Sequence, residues 1–130
     1  MAPHHEFIRD LFDRWNRGVR EIKPDEIAPE AVVRSALTGR AYSGYEGIAE
    51  WMSEIDDQFD DWKVTIEEME GLPEDRVLAI GHVHFRGRGS GVEFDQAIGW
   101  LLSFDGDRIT EMVNFSDPES ARNAAAAPSS

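Results

Sequence analysis

The sequence predicts an α+β domain, with helices on one face of a curved antiparallel sheet. Three observations carry that prediction. Apolar residues recur at helical spacing in two segments of the N-terminal half. From Trp62 onward the apolar period falls to two. Turn residues at Gly87 to Gly91 and at Asp105-Gly106 then divide the remainder into strands in meander order.

Phe7, Ile8, Leu11, Phe12 and Trp15 share one face of a first helix. Asn16-Arg17-Gly18 stops it, because Gly18 tolerates the left-handed conformation that follows a last turn. Pro24 to Ile27 suits a single helical turn with proline at its start. Glu30 to Ser35 reads as a strand on its β-branched pair, Val32 and Val33. Ser43-Gly44-Tyr45-Glu46 has the form of a capping box, in which Ser43 and Glu46 satisfy free backbone donors reciprocally. The second helix follows with Ile48, Trp51, Met52, Ile55 and Phe59 as its apolar stripe and Glu50, Glu54, Asp56 and Asp57 opposite.

Trp62, Val64 and Ile66 alternate with Lys63, Thr65 and Glu67 in a strand. Leu72 to Asp75 is a turn, and Arg76–Arg86 and Val92–Phe104 are long strands around a five-residue reversal. Arg108–Phe115 is the last strand, and Asp117-Pro118 caps and opens a final helix. Residues 1–123 are expected to form one domain, with 124–130 as a disordered tail. The strand from Val92 is apolar on both faces: Ile98, Trp100, Leu102 and Phe104 on one, Ala97, Gly99 and Leu101 on the other. Its second face is expected to need a partner, and a homodimer supplies one most simply.

Composition narrows the function. Against 26 Asp and Glu stand 13 Lys and Arg, a formal net charge of -13. Phosphate backbones and anionic membranes select the opposite sign, so neither nucleic acid nor membrane is an expected partner. The chain has no cysteine, which removes disulfides, thiolate ligands and thiol nucleophiles. No apolar run approaches the ~20 residues of a membrane helix, and Met1 to Glu6 lacks signal-peptide character, so a cytoplasmic location is expected.

The order of the segments resembles the SnoaL-like branch of the nuclear transport factor 2-like, or ketosteroid isomerase-like, superfamily. The resemblance rests on Leu11-Phe12-Asp13-Arg14-Trp15-Asn16-Arg17-Gly18, Tyr42-Ser43-Gly44-Tyr45-Glu46-Gly47-Ile48 and Gly87-Arg88-Gly89-Ser90-Gly91-Val92. Asp105-Gly106-Asp107-Arg108-Ile109 and Asn114-Phe115-Ser116-Asp117 complete it. It implies a cone-shaped α+β barrel, a bent sheet wrapped around N-terminal helices with an apolar pocket at the wide end. It also implies dimerisation through the outer face of the sheet, as in many members. The residues of known mechanisms do not carry over. The tyrosine of ketosteroid isomerases falls on Leu11, their base near Ser35, and their strand acid on Trp100 or Gly99. The acid of polyketide cyclases also falls on Trp100, and the Asp-Arg-Asp set of limonene epoxide hydrolases has no counterpart. The fold therefore does not carry function with it.

Strand pairing supplies the candidate site. A five-residue turn sets Arg86 opposite Val92 and His82 opposite Gln96; a three-residue turn at Asp105 to Asp107 sets Trp100 opposite Met112 and Ile98 opposite Asn114. A slip of one residue would exchange the faces. On the resemblance this face points inward, giving His82, Gln96 and Asn114 as polar groups beside Ile98, Trp100 and Met112. Ser35 approaches from the first strand, and Trp15 and Trp51 either line the pocket or serve as plain core.

A desolvated His82 would favour its neutral form and could act as a general base; equally, it could hydrogen-bond a neighbour structurally. His82-Val83-His84 offers only two ligands on one face, so no metal is expected, and no cofactor is implied. Neither Ser43 nor Ser90 sits in a nucleophile elbow, and Gly87 to Gly91 lies between strands rather than before a helix. Two readings follow. One is an isomerase-, cyclase- or dehydratase-type enzyme acting on a small apolar, oxygen-bearing molecule. The other is a non-catalytic small-molecule-binding or dimerisation module of the same fold.

Overall fold

The computed structural model describes residues 4–19, 21–36 and 38–126. Its elements run α1 (His5–Asn16), β1 (Ile27–Arg34), β2 (Ala41–Ser43), α2 (Gly44–Gln58), β3 (Phe59–Leu72), β4 (Arg76–Gly87), β5 (Glu93–Asp105), β6 (Arg108–Phe115) and α3 (Pro118–Ala126). The six strands form one curved sheet in the order β2-β1-β6-β5-β4-β3. The meander β3 to β6 is antiparallel, as its hairpin turns require. The sheet is nonetheless mixed, because β1 lies parallel to β6. β2, only three residues long, was hidden from the sequence pattern; it pairs with β1 through Val33 and Tyr42.

Helix starts and stops follow local chemistry. Gly18 takes φ +85° after α1, and the Val19 amide donates back to the Arg14 carbonyl at 3.0 Å. α2 begins after Ser43 as expected, but Ser43 makes no side-chain cap bond. It is the end of β2, paired with Val32, so the capping box is a helix boundary without its hydrogen bonds. Asp117 does cap α3: its Oδ1 accepts the Ser120 amide at 2.7 Å. Ala124 to Ala126, expected in a disordered tail, belong to α3, and Ala125 is buried. Residues 127–130 lie outside the described residues.

The main core fills the concave side. Ile8, Leu11, Phe12 and Trp15 of α1 and Ile48, Trp51, Met52 and Ile55 of α2 pack on the inner face of the strands. Burying each such side chain contributes about 1.5–3 kcal/mol, far more than helix propensity does. α1 is also tied to the sheet edge. The Asn16 Nδ2 donates to the Val64 carbonyl at 2.8 Å, and its Oδ1 accepts the Val64 amide at 2.7 Å. One side chain thus occupies part of the open edge of β3.

The outer face is covered differently from expectation. Ala121 and Ala125 of α3 pack with Leu78 and Ile80, and Leu101 and Phe115 join them. The approach is close: a Cβ at Gly99 would collide with that of Ala121. The apolar second face that argued for a homodimer is therefore capped, at its centre, by the chain's own C-terminal helix. The uncovered part, toward the β4–β5 hairpin, carries His82, His84, Lys63, Glu93 and Asp95 and is polar. No described helix is long and apolar enough to cross a membrane.

Candidate functional site

The concave core encloses a cavity of ≈ 30 Å³. Phe12 and Trp15 reach it from α1, Trp51 and Ile55 from α2, Trp62 and Val64 from β3, Val83 and Phe85 from β4. Ile98 and Trp100 of β5 and Asn114 of β6 complete the wall. All four tryptophans of the chain border this one space. The rings stand at steep angles to Trp15: Phe12 at 71°, Trp51 at 71° and Trp62 at 59°. Such tilted packing is the arrangement aromatic quadrupoles favour. A smaller apolar void of ≈ 10 Å³ lies behind Trp15 and Trp51, against Met112 and Ile109.

Asn114 is the polar exception. Its residue exposure is 8%, and its Oδ1 has no hydrogen-bond partner among the described residues. The Trp51 indole Nε1 is likewise buried and unpartnered there. By contrast the Trp62 Nε1 donates to Asp56 Oδ1 at 2.9 Å. Asn114 is also shared with an open outer cleft of ≈ 310 Å³, bordered by Arg34, Ser35, Gly39, Arg40 and Val113. The cations of that cleft are matched by carboxylates: Arg34 with Glu111 at 3.0 Å, Arg40 with Glu50 at 3.1 Å and Glu54 at 3.2 Å. The Glu50 hydrogen bond, with Glu54 behind it, holds Arg40 above its ordinary pKa.

The sequence-derived site divides. Trp15, Trp51, Ile98, Trp100 and Asn114 line the cavity together. Met112 borders the void behind it, and Ser35, buried at 4%, belongs to the outer cleft with Asn114. Gln96 stands opposite Val83 at the half-buried rim, where its Nε2 donates to the Ser116 carbonyl at 3.2 Å.

His82 is placed on the other side of the sheet. The β4–β5 loop closes at Gly87 and Val92, whose backbone bond is 2.8 Å, leaving four residues rather than five in the turn. That sets Arg86 opposite Glu93 and His82 opposite Ala97. The single-residue shift sends His82 and His84 outward and Val83 and Phe85 inward. His82 then lies 3.5 Å from Glu67 Oε1 with a side chain 38% exposed, so the desolvated general base does not arise. At the β5–β6 turn the error is two residues, Trp100 pairing with Asn114 and Leu102 with Met112. An even shift preserves the face, and Asn114 stays inward. The residues missed by sequence, Val83 and Phe85, were signalled by alternation but lost with the register. Phe12, Ile55, Trp62 and Val64 were legible as apolar stripes without a cavity to assign them to.

Among the described residues no cluster of His, Asp and Glu is arranged to hold a metal ion. The tyrosines near the second helix are structural in their contacts. Tyr45 donates to the Ile27 carbonyl at 2.9 Å, and the Tyr42 hydroxyl sits 2.9 Å from both Thr38 Oγ1 and Glu54 Oε1.

A curved six-stranded sheet closed by two helices, with the cavity between helices and sheet, is the cone-shaped α+β fold to which the sequence pointed. Residues 8–112 match the model of the SnoaL-like domain, and the chain belongs to that family. No curated protein matches the sequence. Solved structures match over nearly the whole length. A nuclear transport factor 2-like protein of unknown function from Burkholderia pseudomallei superposes with a TM-score of 0.80 at 12% identity, covering 98% of this chain and 100% of that one. A proposed SnoaL-like polyketide cyclase from Jannaschia sp. gives 0.77 at 20% identity, with 99% and 98% covered. A ketosteroid isomerase-like protein from Catenulispora acidiphila, solved in complex with trimethylamine, gives 0.74 at 19% identity, with 98% and 96% covered. At these identities the likeness is one of fold.

Proposed function

We propose that this chain is a SnoaL-like small-molecule-binding protein that holds an apolar, oxygen-bearing ligand in the aromatic cavity without acid–base chemistry on it. The observation that carries the reading is the composition of the wall. Its described lining is aromatic and aliphatic, with Asn114 as the one amide and no ionisable side chain. Apolar walls with few placed polar groups are the usual makeup of a ligand pocket. General acid–base catalysis needs a titratable group within hydrogen-bond reach of the reacting atom, and the described lining presents none. The enzyme reading loses its support with His82, which faces Glu67 outside. A small ligand is favoured by the ≈ 30 Å³ of free space, so a larger body requires wall rings to turn. The trimethylamine complex of the Catenulispora protein is in keeping with small ligands in this fold.

The test uses cyclopentanol, cyclopentanone and cyclopentane as probes, read by tryptophan fluorescence. At least one should give a saturable change, and each should be recovered chemically unchanged after prolonged incubation. His82→Ala should leave the affinities within about twofold. Steady product formation, or no saturable binding by any probe, would reject the proposal.

A further inference from the structure

We infer that the polar end of the cavity is a hydroxyl site, formed by Asn114 Oδ1 as acceptor and the Trp51 Nε1–H as donor. The inference rests on the small-molecule reading above and names the functional group which that ligand carries. Two residues on the wall of one cavity each carry a buried polar atom without a partner among the described residues, and the two atoms are of opposite kind. Leaving such groups unsatisfied is costly, so a ligand that pairs both is favoured over one that pairs one or neither.

Candidate ligand groups can be sorted by what they offer. A carbonyl accepts from Trp51 and leaves the Asn114 oxygen facing another acceptor. An alkylammonium would donate to Asn114 and sit well against aromatic faces, which attract cations. It would, however, direct positive charge at the Trp51 N–H and lose its hydration in a cavity with no carboxylate on its described lining. A hydrocarbon satisfies neither atom. A hydroxyl donates its proton to Asn114 Oδ1 and accepts from Trp51 through its lone pairs. The other three indoles do not alter this sorting: Trp62 is engaged by Asp56, and no orphaned atom falls on Trp15 or Trp100. The rest of the wall is aliphatic or phenyl, so the ligand body is apolar and the alcohol neutral.

The three probes share a ring and differ at one position, which isolates the functional group. Cyclopentanol should bind about tenfold more tightly than cyclopentanone and cyclopentane. In a two-dimensional ¹H–¹⁵N spectrum it should shift the indole resonance of Trp51 more than those of the other three tryptophans. Asn114→Leu, which removes an orphaned buried oxygen at similar volume, should fold as the parent does by thermal melting. It should weaken cyclopentanol about tenfold and leave cyclopentane within about twofold. Trp51→Phe keeps an apolar ring but removes the donor, and should likewise bring alcohol and hydrocarbon together. If the ketone binds as well as the alcohol, or if both variants keep the alcohol preference, the hydroxyl site is refuted while the pocket reading stands. If trimethylammonium, added as a fourth probe, binds more tightly than cyclopentanol, the site is a cation cage instead. If none of the probes saturates, both readings fall together.

Discussion

His84 shows how a single placement changes a residue's chemistry. Turned outward, it is held between two carboxylates: its Nε2 lies 2.9 Å from Glu93 Oε1 and its Nδ1 2.7 Å from Asp95 Oδ1. Those bonds, Glu93 foremost, raise its pKa above the ordinary histidine value. Lys63 stands opposite on β3, and its ammonium is engaged by Asp61 and the Asn16 carbonyl. A histidine whose folded pKa is raised contributes stability that is complete below the unfolded value of about 6.5. The contribution fades as pH rises through the folded pKa. An NMR titration should therefore place the His84 midpoint above about 6.5, and Glu93→Gln should lower it more than Asp95→Asn. A midpoint at or below the free value would contradict the geometry. The same outward turn explains why the site was only partly legible. The types of residue on β4 were plain, but the face of His82 depended on a loop of four residues against five. Gly87-Arg88-Gly89-Ser90-Gly91 accommodates either length, because its glycines accept several turn conformations. Asn114 survived a larger error only because that error was even.

Elements were read more securely than their partners. The stripes of α1 and α2 and the period-two run from Trp62 reflect burial on one side, which leaves a strong mark on sequence. Strand order leaves almost none. β2 is too short to show a period, and the parallel pairing of β1 with β6 joins residues that no hairpin turn links. The doubly apolar β5 was read correctly as two-faced, yet its cover was assigned to a second molecule rather than to α3. The signal for α3 lay in small residues: Gly99 on the strand, and Ala121 and Ala125 on the helix. Such residues mark close approach but look featureless in composition. Gly99→Ala should consequently lower the urea midpoint by the equivalent of about 1–3 kcal/mol, the usual range for overpacking. An unchanged midpoint would show that α3 can shift at little cost.

At the scale of the molecule, α3 separates an apolar patch from solvent. Ending the chain at Asp117 would expose Leu78, Ile80, Leu101 and Phe115 together. Sedimentation of that truncated chain should show more self-association at micromolar concentration than the parent does, since contiguous apolar surface seeks cover. A truncated chain that sediments as the parent does would mean the patch is too small to matter. The net charge of -13 works in the opposite direction, keeping copies apart through surface repulsion. The acidic residues sit on helices, turns and strands, and none is among the described residues of the cavity wall.

The parallel union of β1 with β6 has a consequence in time as well as in space. Arg34 and Val113 are neighbours in the sheet although some 80 residues of chain lie between them. Closing a loop of that length carries an entropic cost that local hairpins avoid, so β3 to β6 can assemble before β1 joins them. The cavity is bounded by α1 from one end of the chain and by Asn114 from the other. It is complete only when α1 and α2 have joined the sheet that carries Asn114, so the β3–β6 meander alone does not form it.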